Sequence, residues 1–449
     1  MKLSTVMPVT NRFFFLFSVL FLTAVAALSA NPLTLSLDQP DGRYYNPDEK
    51  VLLDIEIDAE LLAERDWDKK ISWQRNWVGE VEEQALENHF FAFSLKDEKP
   101  GQVLLTVSLT AKDDPSVTHK SSIGFLFQPE AIALSTPEPE DFDSFWEEQK
   151  ESWRAKKQEI SLTPVESPIE GISAWDLQIA IEGEVPVSGY LAIPENASEK
   201  SLPAILYTHG AGVRSSILST AVRAANNGFL ALDINAHGLP NGQSAEFYND
   251  KATGELNGYP RHGFDSREDW YFRKMYLRVV TALDYLTSRP EWNGEDLVTY
   301  GSSQGGGQAL AGAGLDDRVT VVAASVPALC DLTGQEDQRK PGWPQPGQVH
   351  TLDDAARENV LEAVGYFDGG IFARRIRVPV ILSLGLADPV CPAVGIQATL
   401  NNLAGTAEAI YRPTMGHAFP AELRELFEDF IFKYVALPGA SEPPAVAIP

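Results

Sequence analysis

Asp296-Leu297-Val298-Thr299-Tyr300 runs into Gly301-Ser302-Ser303-Gln304-Gly305 and then Gly306-Gly307-Gln308-Ala309-Leu310-Ala311, and these residues decide how the chain is read. The first five are expected as a short buried strand, and the last six open a helix of small side chains. Between them stands G-x-S-x-G, the pattern of a sharp strand-to-helix turn with the serine at its tip. Such a turn strains the serine backbone, and only glycines two positions away let strand and helix close on each other. The strain lifts the Ser303 hydroxyl clear of the sheet edge and leaves the Gln304 N–H facing whatever the serine attacks. Five letters also recur by chance, so the surrounding pattern must carry the reading.

That pattern is strand alternating with helix. Strands are expected at 177–181, 188–193, 204–207, 229–233, 297–300, 319–326, 378–384 and 408–411, and helices at 217–226, 271–288, 304–314, 353–364, 393–403 and 422–434. Runs such as Val378-Pro379-Val380-Ile381-Leu382 are almost wholly apolar, as strands covered on both faces must be. The fold class is therefore α/β, a mostly parallel sheet of the α/β-hydrolase kind over residues 170–436.

Residues 31–130 differ. Lys50–Ile57, Val103–Leu109 and Ser122–Phe127 read as strands between polar turns, which predicts a small all-β, immunoglobulin-like sandwich. Trp67, Trp73 and Trp77 crowd this part, as core fillers or as platforms for sugar rings. Residues 131–169 are expected to be a linker, rich in Pro and Glu at 135–140, with a docking helix in which Phe142, Phe145, Trp146 and Trp153 recur near helical spacing. Residues 437–449 read as a flexible tail.

The first thirty residues read as an export signal: Lys2 and Arg12, an apolar run from Phe13 to Ala27, then small residues through Ala30. A secreted or periplasmic protein follows, free of the membrane once the signal is cleaved. The 36 basic against 63 acidic residues give a formal charge of −27, which argues against nucleic acid and against anionic membranes as partners. With only Cys330 and Cys391, no disulfide framework holds the fold; the two could pair, or pack separately as buried thiols. No H-E-x-x-H, Cys/His cluster, Walker loop or dinucleotide fingerprint occurs, so no metal and no organic cofactor is implied.

A serine hydroxyl needs a base, usually a histidine steered by a carboxylate, and this elbow demands the order Ser, acid, His. Of seven histidines only His350 and His417 follow Ser303. His350 lies in a Pro/Gly/Gln-rich stretch with no strand before it, whereas His417 follows a strand and precedes the last helix. For the acid, Asp388 sits in the loop just after the strand at 378–384; Asp368 precedes that strand and is the weaker candidate. The oxyanion needs two N–H donors. Gln304 supplies one, and the loop Thr208-His209-Gly210-Ala211-Gly212 supplies the other through Ala211, with His209 structural.

Several ordered stretches then resemble the acetyl xylan esterases and cephalosporin C deacetylases. They are Phe142-Asp143-Ser144-Phe145-Trp146; Gly301 to Leu310 with Val326-Pro327-Ala328-Leu329-Cys330-Asp331; Tyr366-Phe367-Asp368-Gly369; Gly385-Leu386-Ala387-Asp388-Pro389-Val390-Cys391-Pro392; and Gly416-His417. The resemblance spans about residues 130–436. It implies metal-free removal of acetyl groups from oligo- or polysaccharides through an acetyl-enzyme, and a homo-oligomer. Two departures stand out. The family's Arg-Gly-Gln is replaced around Asn235-Ala236-His237-Gly238, and its tyrosine by Ala211. Rival readings are an esterase of sugar-acid esters, with Arg214 or Arg261 meeting the substrate carboxylate, a peptidase on the same sheet, and a non-catalytic polysaccharide-binding protein.

Overall fold

The computed structural model describes residues 32–96, 98–345 and 352–437. The expected export signal, the expected tail beyond Leu437 and His350 lie outside them. Among the described residues no helix is long and apolar enough to cross a membrane.

The described residues of the amino-terminal part hold eight strands: β1 (Leu33–Leu37), β2 (Arg43–Tyr44), β3 (Lys50–Ile57), β4 (Trp67–Arg75), β5 (Val78–Ala85), β6 (Phe90–Ser94), β7 (Gly101–Ala111) and β8 (Thr118–Phe127), with helix α1 (Ala59–Glu64) after β3. They form a sheet in the order β1-β3-β6 and another in the order β2-β8-β7-β4-β5. Alternate residues point inward, as the buried Val51, Leu53 and Ile55 of β3 show, and they meet Ile71, Val103, Leu105, Val107, Ile123 and Phe125 of the other sheet in one core. Trp67 is buried and donates from Nε1 to Leu61 O, so it is a core residue. Trp73 is only half-buried and stacks on Phe91.

Among the described residues the rest is built on nine strands: β9 (Gln158–Val165), β10 (Ile172–Ile181), β11 (Val187–Pro194), β12 (Leu202–Thr208), β13 (Leu230–Ile234), β14 (Trp292–Ser302), β15 (Val321–Ser325), β16 (Val380–Gly385) and β17 (Ala407–Arg412). Their order is β17-β16-β15-β14-β12-β13-β11-β10-β9. The pairs from β13–β12 to β16–β17 are parallel, and those from β9 to β11 and on to β13 are antiparallel. β9 falls in the stretch expected to be linker. Its side chains are almost all exposed, so it lacks the apolar run that marks the inner strands.

The helices are α2 (Phe142–Arg154), α3 (Leu218–Asn226), α4 (Ala245–Thr253), α5 (Tyr271–Ser288), α6 (Gln304–Leu315), α7 (Asp354–Val364), α8 (Gly369–Ala373), α9 (Ala393–Leu400) and α10 (Ala421–Tyr434). Side-chain alternation explains why both sheet faces need cover. Ala204, Leu206, Val322, Ala324 and Leu382 enter the core beneath α2, α5, α6, α8 and α9. Ile205, Val321, Ala323 and Ile381 enter the opposite core beneath α3 and α10. The α2 face is the one its spacing predicts: Phe142, Phe145, Trp146 and Trp153 are each no more than 4% exposed.

Candidate active site

Parallel strands end on one edge of their sheet, and loops leaving that edge are where α/β proteins build sites. β14 leads into Ser303, β12 into the glycine-rich loop, β16 into the loop of Asp388, and β17 into the loop of His417. From β14 to β17 is three strand spacings, about 14 Å at ~4.8 Å each, so the histidine must return over the sheet edge on its loop.

Ser303 has φ 58° and ψ −124°, a strained conformation for a residue with a side chain. Its neighbours over-determine it: Ser303 N donates to Ser325 O at 2.9 Å, and Ser303 O accepts from Ala328 N at 2.9 Å and Gly307 N at 3.1 Å. A Cβ on Gly301 would lie 2.2 Å from Gly305 O, and one on Gly305 would lie 2.2 Å from Thr208 O, so both flanking glycines are required by space. Thr208 Oγ1 pins the turn by donating to Gly305 O at 2.8 Å.

His417 Nε2 lies 2.9 Å from Ser303 Oγ, and His417 Nδ1 lies 2.7 Å from Asp388 Oδ2. Asp388 is fully buried, and its other oxygen accepts from Val390 N at 2.7 Å and Cys391 N at 3.0 Å. An ionised carboxylate only accepts, so His417 carries its proton on Nδ1 and presents a lone pair to the serine hydroxyl. Asp368 lies elsewhere and holds the fold together. It is buried and accepts from Thr136 Oγ1, Leu332 N and Gly370 N, joining the linker to the start of α8.

The Gln304 N–H opens α6 and so has no partner inside the helix. The Ala211 N–H takes no partner among the described residues. Arg214 donates to two carbonyls of this loop, Gly210 O at 3.1 Å and Ala211 O at 3.0 Å. The C=O and N–H of a trans peptide point in opposite directions, so holding the Gly210 carbonyl turns the Ala211 N–H the other way. The cation proposed for a uronate is thus spent on the loop. Arg261 sits in a short turn, Tyr259–Arg261, and its side chain makes no hydrogen bond or ion pair among the described residues.

Behind the loop, His209 Nε2 meets Asp233 Oδ1 at 2.5 Å, both buried, which makes His209 structural. The fully buried Gln304 side chain accepts from Tyr259 Oη at 2.5 Å. His237, at one of the departures, bonds Tyr271 Oη at 2.8 Å and lies 3.2 Å from Gly212 O. Burial, with Arg278 close by, pushes its imidazole down to about 4. Sequence reasoning did not find Tyr259 or His237 as supports, because each acts through a partner distant in the chain, and it read Arg214 as a substrate-binding cation because only the folded loop turns its side chain back onto Gly210 and Ala211.

Among the described residues, one group has the donors to ligate a metal: Asp388, Cys391 and His417, with ligand atoms within 4.8 Å of one another. Its carboxylate and imidazole are engaged with each other, and burial pushes the Cys391 thiol well above its ordinary range, away from the thiolate that metals prefer. Both cysteines are free and buried.

Comparison with known proteins gives a consistent answer. The family described as acetyl xylan esterase (AXE1) matches residues 132–434. An acetyl esterase, Axe7A, of Xylanibacter ruminicola is 32% identical over 325 residues, 71% of either chain. The acetyl xylan esterase from Paenibacillus sp. R4 superposes with a TM-score of 0.59 at 26% identity, covering 69% of this chain and 99% of that one. Acetyl xylan esterase 1 from Thermoanaerobacterium sp. JW/SL YS485 gives 0.60 at 25% identity, with 69% and 98% covered.

Proposed function

This chain belongs to the acetyl xylan esterase family, and from that membership and the geometry of its site we propose that it is an exported serine esterase that removes O-acetyl groups from xylan-type oligo- or polysaccharides. One observation carries the reading: the unbroken hydrogen-bonded series from Asp388 through His417 to Ser303, with contacts of 2.7 and 2.9 Å.

Ser303 Oγ attacks the acetyl carbonyl carbon while His417 Nε2 takes its proton. Asp388 holds the imidazole in the receptive tautomer and stabilises the imidazolium. Charge on the carbonyl oxygen falls to the Ala211 and Gln304 N–H groups, each worth about 3–4 kcal/mol by the usual cost of deleting such a donor. The sugar hydroxyl leaves with the proton from His417, and water then releases acetate by the same route. Residues 1–30 direct export, and residues 31–130 form an immunoglobulin-like sandwich carried in front of the catalytic fold.

Acetate release from acetylated xylan, alongside methyl glucuronate esters and peptide amides, tests the assignment. Preference for the acetylated polymer supports it. Turnover of the glucuronate esters or amides with none of the acetyl ester would refute it.

A further inference from the structure

The second residue of β7, Gln102, is 2% exposed, and a buried primary amide needs partners at both ends. It finds them outside its own sheets. Gln102 Nε2 donates to Leu386 O at 2.7 Å, and Gln102 Oε1 accepts from Val394 N at 3.0 Å. Leu386 and Val394 bound the segment that carries Asp388, so one side chain staples the two ends of the acid loop.

Backbone contacts strengthen the grip. Gly124 N of β8 donates to Pro413 O, on the loop of His417, at 2.8 Å. A Cβ on Gly124 would stand 1.8 Å from Leu386 O, so the strand lies directly against the acid loop. The Arg43 guanidinium stacks 4.4 Å from the Tyr411 ring at the end of β17. The two catalytic loops are also tied to each other, Leu386 N to Arg412 O and Ala387 N to Met415 O, each at 3.0 Å. The family match begins at Ile132, so this clamp reaches the site from outside the family's common fold.

We infer that the amino-terminal β-unit is a working part of the catalytic apparatus, with Gln102 and Gly124 as positioning residues that hold the Asp388 and His417 loops in register over Ser303. The inference rests on the triad proposed above. It also gives the extra unit a role that needs no glycan binding.

The test uses the full chain. Q102M keeps the side-chain length and removes both hydrogen bonds. Its kcat for an aryl acetate should fall about tenfold, within the range set by ångström-scale misplacement, while KM stays within about twofold. Leu105→Ala, in the core of the same unit and fully buried, should lower the melting temperature yet leave kcat per folded molecule unchanged. If Q102M does not fold, Q102E, which keeps the acceptor for Val394 N and loses the donor to Leu386, carries the same comparison. Wild-type kcat in a folded Gln102 variant overturns the clamp. A Ser303→Ala enzyme that still turns over overturns the triad instead, whatever Gln102 does.

Discussion

Replacing His237 by glutamine isolates a proton-linked cost in the loop support. His237 is 2% exposed and faces Arg278, Arg214 and His209, with Tyr271 and Tyr259 around its ring. Burial, reinforced by Arg278, holds its imidazole at about 4 against an ordinary 6.5. Between those values the unfolded chain binds a proton that the folded chain refuses, so stability falls as pH falls through this window. The full shift corresponds to about 3 kcal/mol, of which about 2 kcal/mol is lost between neutral pH and pH 5. Glutamine can keep the contacts to Gly212 O and Tyr271 Oη but does not titrate. Urea unfolding followed by tryptophan fluorescence at pH 5–8 should show His237→Gln gaining about 2 kcal/mol on the wild type as pH drops to 5. Parallel stability curves for the two proteins would refute the reasoning, since they would mean that His237 contributes nothing to proton linkage.

Other expectations follow from single contacts. Trp146, 1% exposed and bonded to Tyr366 O, should cost about 3–5 kcal/mol on truncation to alanine, read as a lower unfolding midpoint. Gly305→Ala forces a Cβ to 2.2 Å from Thr208 O and should abolish soluble folded protein or its activity, checked by expression and aryl acetate turnover. Asp388→Asn should lower kcat by roughly 10⁴-fold with little change in fold, as loss of the tautomer-setting carboxylate does in other triads. Arg214→Met frees the carbonyls of Gly210 and Ala211 and should lower kcat more than it raises KM for a neutral ester.

The elbow was legible because its chemistry is local: a strand, a serine between glycines and a helix of small residues lie within one short run. Asp388 and His417 could be read because chain order and strand ends limit the choices. α6 follows the sequence pattern closely and α5 runs over the residues predicted for it, Tyr271–Ser288, whereas β14 starts well before its expected buried run, at Trp292, on residues that are not buried. β9 was missed because its exposed side chains resemble a linker, its place being fixed by pairing with β10 rather than by burial. α4 was missed too; it presents one buried residue, Tyr248, and so shows no apolar stripe. Gln102 gave no signal at all. A glutamine on the face of β7 turned away from its own core reads as an ordinary surface residue until the loop it bonds, far along the chain, is brought beside it.

The proposed mechanism depends most on Ser303 receiving the acetyl group. Rapid acid quenching of the enzyme with an aryl acetate, then peptide mass spectrometry, measures this directly. One acetyl group should appear on the peptide containing Ser303, and none on that peptide in Ser303→Ala. Full turnover with that peptide unmodified at every quench time, or with the acetyl group on another side chain, would contradict it.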